Sequence, residues 1–235
     1  MTDQGALDRY RQKRNFAVTP EPSGEVKSAK PGKANIAGNV IVWDCGTWRP
    51  LEDPSDGFDL DPGEGVGWEK MQQAAALVRT MLEVLDLKCF LKTSGGNGLH
   101  VVVPLLKQHC WDTVNGFSHH IVDHLAKTLS QLFVAKLGPK NRIGKIFVDY
   151  LRNGFGATTA CARTARARAG MGVSVPASWD ELSDLKSGAH WTVQTIGERL
   201  EVGNRPWAGY ARASNSLSAG MKVLGYKVPL ARELS

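Results

Sequence analysis

From residue 57 onward the hydrophobic and polar positions follow two rhythms. Phe58-Asp59-Leu60-Asp61 alternates with period two, predicting a strand with Phe58 and Leu60 on one face and both carboxylates on the other. Pro62-Gly63-Glu64-Gly65 then turns the chain sharply away. Over 68–85 the residues Ala75, Leu77, Val78, Met81, Leu82 and Leu85 recur at helical spacing. Apolar runs over 88–92 and 100–105 predict two strands. They are joined by Ser94-Gly95-Gly96-Asn97-Gly98, which has the Asn-Gly step of a hairpin connection. A long amphipathic helix is expected over 111–137, carrying Val114, Phe117, Ile121, Leu125, Leu129 and Leu132. Residues 146–150 and 157–162 predict paired strands around an Asn153-Gly154 turn. Short helices are expected over 179–182, 193–200 and 207–217, followed by a tail.

Ahead of this region, residues 1–34 are polar, with Pro20, Pro22, Pro31 and several lysines, and are expected to be irregular or mobile. Asn39-Val40-Ile41-Val42-Trp43 predicts a short strand, and Asp53-Pro54-Ser55-Asp56-Gly57 is turn chemistry suited to a junction. Strands carrying helices on one side predict an α/β (α+β) architecture: an open mixed sheet with acidic residues exposed on its face. The start of the chain has no apolar core of signal-peptide length, and no segment has the length and apolarity of a membrane span. Cys45, Cys89, Cys110 and Cys161 are scattered without a C-x-x-C pair, as expected of reduced thiols in a cytoplasmic protein with no membrane partner.

The net charge of +6 suits a polyanionic partner without establishing one. More specific is the pair Asp59 and Asp61, with Asp149 closing the apolar run Ile146-Phe147-Val148. Three carboxylates at the ends of neighbouring strands form a hard-oxygen set suited to Mn2+ or Mg2+. Two such ions stabilise both the attacking and the leaving oxygen of a phosphoryl transfer. The competing explanation is a pair of aspartates that only cap a Pro-Gly turn. The glycines of 94–98 would let backbone N–H groups approach phosphate, with Ser94 adding a hydroxyl and His100 a ring donor. Equally, they would serve a hairpin loop needing positive φ. Arg152, Arg163, Arg166 and Arg168 suit bidentate phosphate contacts, or form a solvated basic loop. His119, His120 and His124 on the long helix, with Cys110 before it, raise zinc. No H-E-x-x-H arrangement is present, and an exposed histidine-bearing helix is the favoured explanation. No Walker loop, Ser/His/Asp elbow or Lys-x-Asp-Gly motif occurs; the last absence argues against an adenylating ligase nucleophile.

These residues resemble a known family. Phe58-Asp59-Leu60-Asp61-Pro62-Gly63-Glu64-Gly65, Lys92-Thr93-Ser94-Gly95-Gly96-Asn97-Gly98-Leu99-His100-Val101-Val102-Val103-Pro104-Leu105 and Phe147-Val148-Asp149-Tyr150-Leu151-Arg152-Asn153-Gly154 are similar to the polymerase domain of bacterial DNA ligase D, within the archaeo-eukaryotic primase superfamily. Arg166-Ala167-Arg168, Val173-Ser174-Val175-Pro176, Trp179-Asp180-Glu181-Leu182 and Pro206-Trp207-Ala208-Gly209-Tyr210 continue the likeness in order. The resemblance implies a primase-polymerase that adds nucleotides to DNA ends during non-homologous end joining. It implies that Asp59, Asp61 and Asp149 hold catalytic Mn2+ or Mg2+, and that Ser94, His100, Arg152 and Arg166 contact the phosphates of an incoming nucleoside triphosphate. It further implies DNA ends, a DNA-end-binding repair protein and a separate ligase as partners, and a nucleoid-associated place in the cytoplasm.

The N-terminal region departs from the pattern. In the family a substantial part precedes the Asp-x-Asp strand and contributes to nucleotide stacking and DNA-end binding; the expectation here is that this part is missing. Residues 8–25 and Asn39 to Trp48 instead resemble pieces of the ligase D 3′-phosphoesterase domain, with Asn15 where that domain has Asp. His100 is the first histidine, so no phosphoesterase activity is expected. The expected organisation is a mostly irregular phosphoesterase-like fragment over 1–56 and the C-terminal catalytic part of a polymerase domain over 57–235. The rival expectations are an inactive remnant that binds nucleic acid or a repair partner, and a product that never folds.

Overall fold

The computed structural model describes residues 55–106, 108–154 and 159–229. The expectations for residues 1–54, including the phosphoesterase-like fragment and the strand over 39–43, lie outside the described residues.

Eight residues of alternating character form β1 (Ser55–Pro62), the central strand. Next in the chain come α1 (Trp68–Val84), β2 (Phe90–Thr93) and β3 (Leu99–Pro104). They are followed by α2 (Trp111–Thr128), β4 (Phe133–Val134) and β5 (Ile146–Asp149). The last elements are β6 (Pro176–Ala177), α3 (Gly197–Val202) and α4 (Ser218–Val223). The six strands form one mixed sheet in the order β4-β5-β1-β3-β2-β6, in which only the β4–β5 pairing is parallel. This is the open mixed α+β sheet expected from the sequence.

The period-two pattern divides the sheet into two unlike faces. Phe58, Leu60, Leu91, Leu99, Val101, Val103, Ile146 and Val148 are buried in one apolar cluster. Helix α1 brings Met71, Ala74, Ala75, Val78 and Leu82 to that cluster, and α2 brings Val114, Phe117, Ile121, Val122 and Leu125. The side chains between them in sequence, among them Asp59, Asp61, Lys92, His100 and Asp149, belong to the opposite face.

Helix α2 ends well before residue 137. Leu129 leaves helical geometry, and its carbonyl accepts from the N–H groups of Leu132 and Phe133 in a turn. That turn lays β4 beside β5, Phe133 opposite Ile146. Leu129 and Leu132 continue the helical spacing only because both still point at the core from the turn. No strand occurs over 159–162, and 155–158 lie outside the described residues. The carbonyl of Ala160 is taken by Lys92 Nζ at 2.7 Å instead of by a strand neighbour. A short antiparallel pairing falls further on, where Arg166 N–H donates to Gly172 and Ser174 N–H to Thr164. In place of the helix expected over 207–217 there are two 3₁₀ turns, Arg205–Trp207 and Tyr210–Arg212, separated at Gly209, with α4 after them. Trp207 and Tyr210 stack with ring centroids 4.7 Å apart, both edge-on to Phe90. The Trp207 indole donates to the Leu91 carbonyl at 2.8 Å, fastening this segment to β2.

Phe58 is wholly buried where β1 meets the helices. Phe58→Ala should cost about 3–5 kcal/mol, read as a large fall in Tm by calorimetry.

Candidate active site

The site begins with strand pairing. In antiparallel strands, opposed residues share a face. Asp59 on β1 is opposed by Asp149 on β5 and by His100 on β3, and His100 is in turn opposed by Lys92 on β2. One row across four strands therefore reads Asp149, Asp59, His100, Lys92. Asp61 stands two residues along β1 on the same face, opposite Phe147. All three sequence-predicted carboxylates thus share one surface.

Their settings differ. Asp149 is buried; its Oδ1 accepts from Leu151 N–H at 2.9 Å and its Oδ2 from Arg152 Nε at 3.3 Å. Asp59 lies 3.2 Å, Oδ1 to Nε2, from His100, but the ring N–H is not aimed along that line. The contact is electrostatic, and both buried atoms lack a hydrogen-bond partner. Burial pushes the Asp59 carboxyl up, but His100, Lys92 and Arg152 outweigh it and hold the carboxyl below its ordinary value. Asp61 goes the other way. Burial and then the negative charge of Asp59 push it up to about 6, with Arg142 at 3.7 Å only partly offsetting them. Lys92, 3% exposed, is drawn down to about 7 by burial, against the pull of Asp59. His100 is likewise lowered by burial.

Beside the row is an open cleft of about 390 Å³. Asp59, His100, Arg152 and Arg166 line it together with Thr159 and Thr164. Four of the seven predicted site residues therefore meet at one opening, one acidic and three able to donate to an anion. Asp61 and Asp149 flank it on the same face. Ser94 has a different position. It is buried, and its Oγ accepts from the N–H groups of Gly96 and Gly98 at 3.0 and 3.1 Å. Gly95, at φ +70°, donates to the Gly188 carbonyl. The glycine N–H groups expected to cradle phosphate are thus spent inside the protein. A side chain on Gly98 would collide with the Leu60 carbonyl, so glycine there permits close approach of the loop to β1. Arg166 Nη1 donates to the Ser94 carbonyl at 3.2 Å, tying the arginine segment to this loop.

Among the described residues no three His, Cys, Asp or Glu side chains converge as a ready-made metal cage. On α2, His119 stacks on Tyr150 and lies 3.5 Å from Asp123, while His120 meets the Leu224 carbonyl; these are structural contacts, not a zinc set. The three aspartates nonetheless suit a hard divalent cation. They offer only carboxylate oxygens, Asp59 Oδ1 is buried without a partner, and Asp61 is raised by burial and then by the negative charge of Asp59, which a cation would relieve. Sequence reasoning missed Lys92. The signal was present, because counting back across the hairpin from 94–98 sets Lys92 opposite His100.

Because Asp61 titrates higher folded than unfolded, its ionisation costs stability. The cost is absent below pH 3.8, grows toward about pH 6 and is full above it. With chelator present, Asp61→Asn should raise Tm at neutral pH, and the gain should fade as pH falls toward 3.8. A lower Tm at neutral pH would mean that Arg142 holds the ionised form favourably.

Comparison with known proteins assigns the chain to a family. Residues 37–207 match the family model described as LigD, primase-polymerase domain, a match that starts ahead of Gly57. The chain is 46% identical over 167 residues to the multifunctional non-homologous end joining protein LigD of Pseudomonas aeruginosa, covering 70% of this chain and 20% of that protein. It is 34% identical over 160 residues to the protein of the same name from Mycolicibacterium smegmatis, covering 66% and 21%. The chain thus spans about a fifth of the length of these curated relatives. Among solved structures, the polymerase domain of Mycobacterium tuberculosis ligase D in complex with DNA superposes with a TM-score of 0.59 at 29% identity, covering 64% of this chain and 52% of that one. With the family model matching well over half of its residues and the fold agreeing, the chain belongs to the LigD primase-polymerase domain family.

Proposed function

We propose that this chain is a nucleotidyltransferase of the primase-polymerase type that extends DNA ends in non-homologous end joining. The observation that carries this reading is the row Asp149, Asp59, His100, with Asp61 on the same face, set against a cleft whose other walls carry Arg152 and Arg166. A nucleoside triphosphate needs both halves of such a site: cationic donors for its phosphates and carboxylates where the reacting centre lies.

Each residue has a distinct part. Asp59, Asp61 and Asp149 would hold Mn2+ or Mg2+. Bound there, these cations supply Lewis acidity that neutralises charge on the attacking 3′-oxygen and the departing pyrophosphate. Arg152 and Arg166 orient the triphosphate through their guanidinium forks. His100 adds a ring donor at the cleft wall next to Asp59. Asp149, fixed by Leu151 N–H and Arg152, is held to one orientation, which reduces the entropy lost on loading the site. Ser94 supports the reaction indirectly by bracing the 94–98 loop.

DNA as partner is favoured by the net charge of +6 and by kinship to a polymerase domain solved with DNA. A DNA-end-binding repair protein and a ligase on a separate chain would complete the pathway, with the work carried out at the nucleoid. The test is primer extension with Mn2+ and nucleoside triphosphates on end-containing duplexes. The full chain should add nucleotides, and Asp59→Ala and Asp149→Ala should each reduce the product about a hundredfold or more. A chain that shifts DNA on a gel yet adds nothing would be a binding remnant, and the enzyme reading would fail.

A further inference from the structure

Gly95, Gly172 and Gly188, far apart in sequence, meet backbone to backbone beside the cleft. The turn 186–190 lies against the 94–98 loop, and Gly188 at its centre is buried. The Gly188 carbonyl accepts from Gly95 N–H at 2.9 Å. A Cβ on Gly188 would fall 2.4 Å from the Gly98 carbonyl oxygen and 2.6 Å from that of Gly96. A Cβ on Gly98 would fall 2.2 Å from the Leu60 carbonyl oxygen of β1. The loop is therefore clasped between two backbones, at a spacing that only glycine permits.

Arg166 is fitted to the same clasp. Its backbone N–H donates to the Gly172 carbonyl at 2.8 Å, and its Nη1 donates to the Ser94 carbonyl at 3.2 Å. Between those bonds its stem crosses the space that a side chain on Gly95 would fill, with Cγ 2.8 Å from that Cβ position. A Cβ on Gly172 would come within 2.6 Å of the Gly95 carbonyl oxygen. The guanidinium thus takes its place at the cleft from the loop backbone, and the loop takes its place from Gly188.

The turn is braced at both ends. Just ahead of it, Trp68 Nε1 and Gln72 Nε2 of α1 donate to the Leu185 carbonyl at 2.6 and 3.1 Å. Just after it, the Trp191 carbonyl accepts from Val173 N–H at 2.8 Å. Crowding at Gly188 is therefore passed to the loop. We propose that Gly188 is a positioning residue: it presses the 94–98 loop against β1 and so sets Arg166 to meet a phosphate oxygen in the cleft. The clasp is this chain's own packing; the identity of the anion rests on the nucleotidyl-transfer reading.

Calorimetric titration of the full chain with inorganic tripolyphosphate and Mg2+ tests this without turnover. Gly188→Ala should weaken binding about tenfold, as should Arg166→Ala, and the double variant should bind no worse than Arg166→Ala. Val122→Ala, a truncation in the apolar cluster on α2, should lower Tm and leave binding unchanged. In primer extension, Gly188→Ala should raise KM for the triphosphate about tenfold with much less change in kcat, a split that Val122→Ala should not show. A folded Gly188→Ala chain that binds tripolyphosphate normally, or a loss that adds fully to that of Arg166→Ala, would overturn the proposal. If Gly188→Ala does not fold, amide exchange of the unsubstituted chain decides. Gly95 N–H should then exchange about tenfold more slowly once tripolyphosphate saturates, and an unchanged rate would overturn the proposal. A chain that binds tripolyphosphate yet adds no nucleotide sinks the enzyme reading alone; one that binds none sinks both.

Discussion

Antiparallel pairing sets opposed residues on one face, and the register of β5, β1, β3 and β2 uses that geometry to gather charge. Asp149, Asp59, His100 and Lys92 fall in one row because Asp59 is opposed on both sides and His100 passes the alignment on to β2. A slip of one residue in any of these pairings would turn its charged member into the apolar cluster. The register is protected by the other face, where Phe58, Leu60, Val101 and Val148 would be driven into water by the same slip. The apolar core thereby fixes the polar site.

The row is polarised along its length. At its acidic end, burial and then the negative charge of Asp59 push the neighbouring Asp61 carboxyl up to about 6. Its other end buries a lysine and a histidine, each made less basic by desolvation. Arg152 and Arg166 continue the positive side around the cleft. A ligand complementary to this field carries cations against the aspartates and anionic oxygens against His100 and the arginines. A metal-bound nucleoside triphosphate, the ligand proposed above, has that distribution.

Much of this was legible in the sequence for a physical reason: alternation and helical spacing are local. The face shared by Asp59 and Asp61 and both main helices followed from short windows, whereas the gathering of Asp149 with that pair was an expectation that leaned on the family resemblance. What depended on distant partners was not legible. The local sequence offers Ser94 as a phosphate donor, a role that accepting from Gly96 and Gly98 does not remove from a hydroxyl; what it does not show is that the Gly95 N–H is taken by the Gly188 carbonyl. Lys92 was passed over because a strand lysine is ordinarily solvated. Its burial depends on Ala160 and Ser174, 68 and 82 residues further along. The helix over 111–137 was drawn too long since Leu129 and Leu132 keep the helical spacing while serving a turn. Only the pairing of Phe133 with Ile146 shows where the helix must stop.

Diffraction from crystals of the full chain soaked in Mn2+, with data collected at the manganese absorption edge, tests most directly whether this face is a metal-dependent centre. An anomalous peak enclosed by the Asp59, Asp61 and Asp149 carboxylates, and absent from Asp59→Ala crystals, is the expected result. Manganese bound only elsewhere on the molecule, with those carboxylates still turned toward His100, Arg142 and Arg152, would contradict it.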